Sequence, residues 1–279
     1  MNATAASPLQ HALPDLGRWT DFFRNAEIPV LAATAEALEL MRENEDAVDA
    51  NNLGELIATD PLMTLKVLAY QASHRSSRIV TDAETVTAAL VWMGITPFFN
   101  AFGPQPTVEA ALADHPAALA GLRRVLRRAD RAARFALDFA AHRADPDAAV
   151  IYSAALLHDF AEMLLWVHAP ELALQIRARQ LADPTLRSAV VQRELLNVEL
   201  TDLQQSLMQT WHLPELLAHI TDDKRANDPQ VENVRLAVRI ARHTADGWTD
   251  AAIPDDISDI AAFLNMHRES TQRLLQEIG

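Results

Sequence analysis

A histidine followed directly by an aspartate, His158-Asp159, lies inside the apolar run from Ala154 to Trp166. Imidazole nitrogens and carboxylate oxygens both ligate divalent metals, and a metal so held can generate a nucleophilic hydroxide for hydrolysis. Adjacent helical residues point about 100° apart, so this pair could bracket an ion only if further ligands arrive from other helices. Histidines that could be recruited from elsewhere are His142, His219 and His243. Other chemistries find no setting: there is no glycine-rich phosphate loop and no Gly-x-Ser-x-Gly turn for a serine nucleophile. The acidic group Glu43, Glu45, Asp46 and Asp49 lacks the loop glycine and the ligand spacing of a calcium loop.

A second chemical feature is charge. Leu122 to Arg143 holds seven arginines (123, 124, 127, 128, 131, 134 and 143) against Asp130 and Asp138, a net of +5 in a chain whose total is -14. Arg123, Arg127 and Arg131 recur at i, i+4 and would line one stripe of a helix. That stripe is either a solvated face paired with nearby acids or a docking face for an acidic partner, a nucleotide or a phosphorylated protein. Phe98, Phe99 and Phe102 sit beside the break Gly103-Pro104-Gln105-Pro106 and either close a core or form an exposed aromatic anchor.

The elements that must position these residues are helices. Apolar residues recur at helical spacing, no sustained alternating run occurs, and only 7 glycines are found in 279 residues. The spacing predicts helices over Ala32 to Arg42, Asn52 to Ile57, Pro61 to Ser73, Asp82 to Met93, Val108 to Ala113 and Pro116 to His142. Further helices are expected over Asp147 to Trp166, Pro170 to Ala182, Leu186 to Glu194, Thr201 to His212, Pro214 to Thr221, Pro229 to Asp246 and Asp255 to Ile278. Asp60 before Pro61 is a capping acid ahead of a first-turn proline. Two prolines at 104 and 106 forbid a continuous helix and are expected to divide the chain into two helical halves. The expected organisation is an arm over residues 1–25, a helical subdomain over 26–106 and a second over 107–279, with Trp19, Phe22 and Phe23 too apolar for a pure spacer.

Composition narrows the function classes. The acidic balance disfavours nucleic acid, whose binders carry a basic face. No stretch approaches about 18 uninterrupted apolar residues, so a membrane span is not expected. The absence of cysteine removes thiolate zinc sites and disulfides. Met1 to Pro14 carries neither the positive charge nor the apolar core of a signal peptide, so a cytoplasmic location is expected.

The series Ile28-Pro29-Val30-Leu31, Leu56 to Leu68 around Thr59-Asp60-Pro61, and Thr85 to Gly94 resembles the N-terminal half of HDOD domains, HD-related output domains of bacterial signalling. The likeness continues through Ala154 to Leu165, Arg193-Glu194-Leu195-Leu196 and Trp211-His212-Leu213-Pro214-Glu215, covering roughly residues 26–245. The resemblance implies an all-α bundle of two packed helical subdomains, the C-terminal one similar to HD phosphohydrolases, with metal ligands typically eroded. In HD enzymes an early helix gives a histidine, a later one the His-Asp pair and a last one an aspartate. Set on this chain, those positions hold Arg128, His158 and Asp159, and Val238. A fixed cation at Arg128 would repel a metal and could bond Asp159 in its place, and valine cannot ligate.

The resemblance and the missing ligands together imply a non-catalytic output or adaptor protein, without cofactor, that contacts a signalling protein; self-association is compatible with it. No receiver, sensory or cyclase module is recognisable alongside. The alternatives are a divergent phosphohydrolase using a divalent metal on a nucleotide or cyclic dinucleotide, and a pseudo-enzyme that senses a nucleotide without turnover.

Overall fold

The structure is a computed structural model that describes residues 8–74, 83–183, 185–225 and 227–279. Among these residues the fold is all-α without strands, apart from a β-bridge between Val30 and Thr107. Two compact units divide the chain: Met1–Val125 with Asp159–Leu213, and Leu126–His158 with Pro214–Gly279. In the first lie α1 (Leu16–Asn25), α2 (Ala32–Glu43), α3 (Ala50–Ala58), α4 (Pro61–Ser73), α5 (Val86–Met93), α6 (Ile95–Ala101), α7 (Val108–Ala111) and the start of α8 (Pro116–His142). The second holds the rest of α8 and α9 (Ala148–Leu157), after which the chain returns to the first for α10 (Phe160–His168), α11 (Pro170–Ala182), α12 (Ser188–Leu196) and α13 (Leu200–Thr210). It ends in the second with α14 (Glu215–Ile220), a 3-10 turn at Asp223–Arg225, α15 (Pro229–His243), α16 (Ile253–Leu264) and α17 (Arg268–Ile278).

Most expected helices stand, and the departures have local causes. The stretch expected as one helix from Asp147 to Trp166 is two, α9 and α10, because Asp159 leaves helical geometry at φ -113° and ψ 26°. By length and composition Ala148–His168 could cross a membrane, but most of it is buried in the fold. The helix expected from Asp255 to Ile278 is also two: Asn265 is left-handed at φ 54°, and the Met266 amide donates back to Ala261 O at 2.9 Å. Asparagine tolerates that conformation, which makes this a helix stop of the Schellman type. Of the helix expected from Asp82, Asp82 itself lies outside the described residues, as do residues 1–7 of the expected arm, and α5 starts later than expected, at Val86, because Thr85 is extended and caps it through the Ala88 amide.

Residues 16–25 of that arm are helix α1, whose Trp19 and Phe23 are fully buried. Nor do the prolines at 104 and 106 separate the units, since both sides of them belong to the first. Hydrogen bonds hold the break inside it: Val30 N donates to Pro106 O and Val108 N to Val30 O, both at 2.9 Å. Lys66 Nζ adds bonds to Ile28 O at 3.1 Å and to Gln105 Oε1 at 2.7 Å.

In the first unit a glycine near the start of α8 lets another helix approach closely. A Cβ on Gly121 would lie 2.4 Å from the Trp166 ring, so the indole of α10 packs directly on the α8 backbone. Gly121→Ala is therefore expected to lower unfolding stability by about 1–2 kcal/mol, the overpacking cost exceeding the gain of about 1 kcal/mol that helix propensity forecasts. Chemical denaturation of the variant measures the sign.

The seat of α1 makes stability pH-dependent. His168 Nε2 donates to Glu27 O at 2.9 Å, and the ring lies edge-on to Phe22 and Phe23 at 5.9 Å. Burial holds its pKa below the usual 6.5, partly offset by the Glu27 carbonyl and the Glu27 charge. The folded state thus prefers the neutral ring; its stability is complete above pH 6.5 and is lost as pH falls from there toward the lowered folded value. Denaturation curves between pH 8 and 5 are expected to be flatter in His168→Phe than in the parent chain.

Candidate functional site

The end of one helix and the start of the next carry the pair singled out by sequence. His158 is the C-cap of α9, and Asp159 the N-cap of α10. The pair therefore sits in a break between helices, and its two members belong to different compact units. His158 is buried, and its Nε2 faces Asp223 Oδ1 at 3.2 Å, with Asp223 half exposed on the 3-10 turn. A carboxylate accepts, so Nε2 carries the hydrogen in this pair. The Asp159 side chain makes no capping bond to α10, while its carbonyl receives the amides of Glu162 at 3.0 Å and Met163 at 3.2 Å. Glu162, one turn on, accepts from Trp166 Nε1 at 3.3 Å.

Arg128 is half-buried on α8, and Val238 is buried on α15. The three recruitable histidines are each engaged elsewhere. His142 Nε2 donates to Leu264 O at 3.1 Å, and His219 Nε2 meets Asp228 Oδ2 at 2.8 Å. That bond from His219, with the Gln230 amide, holds the Asp228 carboxyl below the usual carboxylate range. His243 Nδ1 meets the buried Asp256 at 2.5 Å, and Arg239 Nε bridges the other oxygen of the same carboxylate at 2.7 Å. Among the described residues no three His, Asp or Glu side chains gather in a way that could hold a metal ion.

The arginine stripe does not survive as one surface. Arg131 donates from Nη1 to Thr244 O at 2.7 Å and from Nη2 to Thr244 Oγ1 at 2.8 Å, closing the C-terminus of α15. A cation at a helix C-terminus is stabilised by the exposed carbonyls and the dipole. Arg143 does the same for α16, donating to Phe263 O at 2.8 Å with its guanidinium 4.3 Å from the Phe263 ring centre. Arg123 is exposed and reaches Glu109 only at 3.5 Å. Arg127 is exposed and has no hydrogen bond or ion pair among the described residues.

The aromatic anchor is a core. Phe98, Phe99 and Phe102 are all buried, with Phe98 packed on Phe99 at 5.2 Å and on Phe102 at 4.9 Å. Helix α6, absent from the sequence reading, turns these side chains inward, and Arg42 closes its end by donating to Phe99 O at 3.1 Å and Phe102 O at 2.6 Å.

The short motifs near the N-terminus are explained by one buried carboxylate. Asp60 caps α4 through the amides of Leu62 and Met63 at 2.9 and 3.2 Å, and its other oxygen accepts the Leu31 amide at 2.8 Å. Burial pushes its pKa up while those amides pull it down. The partner role of Asp223 had no signal in sequence, since it stands 65 residues from His158 on an exposed turn.

The fold so built is shared with solved structures. It is similar to the MmoQ response regulator from Methylococcus capsulatus, with a TM-score of 0.67 at 18% identity, covering 90% of this chain and 99% of that one. It is also similar to a virulence factor from Campylobacter jejuni, with a TM-score of 0.63 at 17% identity, covering 94% of this chain and 93% of that one. At these identities the likeness is one of fold. The sequence itself matches the HDOD domain over residues 28–226, and the chain belongs to that family. Among curated proteins none matches.

The two fates of the α8 arginines are separable by mutation. Arg131→Met is expected to cost about 1–3 kcal/mol of unfolding stability, because it leaves the end of α15 unsatisfied, whereas Arg127→Met stays within about 0.5 kcal/mol. Denaturation of the two single variants under one buffer tests the contrast.

Proposed function

We propose that this HDOD protein is a non-catalytic output or adaptor element of signal transduction that works by contacting a signalling protein. The observation that carries the reading is the engagement of His158. Its Nε2, one of two atoms able to ligate a metal, is directed at Asp223. The positions that the family likeness assigns to the other ligands hold Arg128 and Val238, a fixed cation and a hydrocarbon. Hydrolytic metal sites rely on three or more protein ligands, and the donor set here does not fit one.

Without that chemistry, function moves to surfaces, which the fold alone does not specify. The exposed Arg123 and Arg127 on α8 are available to an acidic protein surface. A fold relative named as a response regulator is in keeping with a signalling role. The chain's charge of -14 weighs against nucleic acid as a direct partner, and the reading requires no cofactor and no membrane. A cytoplasmic location follows from the same reading.

Elemental analysis of protein purified without an affinity tag, beside His158→Ala, is the test. The expected result is metal far below one equivalent, equal in both proteins, with no hydrolysis of nucleotides or cyclic dinucleotides. Near-stoichiometric iron or manganese that vanishes in the variant overturns the proposal.

A further inference from the structure

An exposed indole and the acidic group that fits no calcium loop share one corner of the first unit. Gly94, at φ 84°, carries the chain straight from α5 into α6, so the last turn of α5 ends at the surface. Val91 is 64% exposed there and Trp92 38%, and Pro97 is exposed on the first turn of α6. Tryptophan is enriched where interfaces take most of their energy, and apolar side chains grouped in water mark contact surfaces. Acids border this one. Thr96 Oγ1 donates to Glu45 Oε1, which sets the 3-10 turn Glu45–Ala47 against the start of α6, and Glu43, Asp46 and Asp49 around that turn are exposed. Arg42, the nearest cation in sequence, gives its guanidinium to Phe99 O and Phe102 O at the other end of α6.

Such a corner does not pair with its own copy. In a two-fold contact the same patch faces itself, and acid would meet acid. It fits a surface that is basic and low. The exposed residues Ala120, Arg123, Arg124 and Arg127 of α8 fall within about 100° of arc around the helix, counting about 100° per residue. Arg123 reaches Glu109 only at 3.5 Å, so it and Arg127 keep charge to offer, and Ala120 leaves room beside them for a ring.

We infer that this chain self-associates head to tail, the Val91-Trp92 corner of one copy, with its border of acids, docking on the Ala120 to Arg127 face of α8 in a second copy. Guanidinium groups pair with carboxylates and stack on indole faces, so the arginines engage both parts of the corner. The net charge of -14 opposes association at long range, but at about 0.15 M salt charges beyond about 8 Å are screened and the facing patches decide. This self-association rests on the proposed function in one respect, that the α8 arginines are a contact surface, and it makes a second copy the acidic surface they meet.

Sedimentation velocity of the full chain from about 1 to 100 μM is the test, with the weight-average mass expected to rise about 1.5-fold or more. Raising the salt to about 1 M, where charges beyond about 3 Å are screened, is expected to weaken association about tenfold. Arg123→Glu/Arg127→Glu removes one face and Asp46→Lys/Val91→Lys the other, all four at exposed positions, with circular dichroism reporting retained helix. Each variant alone is expected to be monomeric, and an equimolar mixture to form a dimer, because each supplies the face that the other lacks. The single variants Arg127→Glu and Val91→Lys repeat the mixing with less disturbance. A parent chain that stays monomeric overturns the inference, as do association indifferent to salt, association that survives in either double variant, and a mixture that stays monomeric. A monomeric parent without metal leaves the adaptor reading standing, whereas metal that vanishes in His158→Ala removes that reading and not the self-association.

Discussion

Closing helix ends without glycine is the constraint on which much of this structure depends. Each α-helix leaves up to four carbonyls unsatisfied at its C-terminus. A chain with 7 glycines cannot supply one to each of seventeen α-helices among the described residues. Two devices take their place. Ala144, Asn197, His212 and Asn265 adopt left-handed geometry, and the side chains of Arg42, Arg131, His142 and Arg143 donate to terminal carbonyls. Basic residues that composition alone would place on a binding face are thereby built into the fold. The α8 arginines divide between structure and surface for that reason.

The His158-Asp159 step shows how backbone geometry governs which chemistry a residue pair can do. Within one helix the two side chains would diverge by a fixed angle and share one environment. At a break, the first residue closes one helix and the second opens the next. His158 gains a carboxylate from a turn 65 residues away, and Asp159 begins α10 without capping it.

In the N-terminal part of the chain, conspicuous sequence motifs turn out to be fasteners. Asp60 binds the extended segment at Leu31 to the start of α4 with its two oxygens. Lys66, six residues further on, ties Ile28 to Gln105 across the proline break. A buried carboxylate that accepts three amides, and a lysine whose donors meet fixed acceptors, keep their positions because removing either partner leaves buried groups unsatisfied.

How much of this was legible in the sequence varies by element. Helical periodicity gave the bounds of α4, α8 and α11 to the residue, because proline and the capping acid at Asp60 act locally. The stop at Asn265 was readable in principle, since asparagine tolerates left-handed geometry, but the apolar periodicity on both sides hid it. The inward turn of Phe98, Phe99 and Phe102 depends on α6, a helix of seven residues whose pattern is too short to give a period. By itself the sequence determined the all-α class, the family and the absence of cysteine chemistry, all properties of composition and local spacing. Tertiary structure alone decided that Asp223 meets His158, that Arg131 caps α15 while Arg127 stays in solvent, and that α1 is packed rather than free. Each of these joins residues far apart in the chain, and pairings at that range are set by packing, which local spacing does not encode.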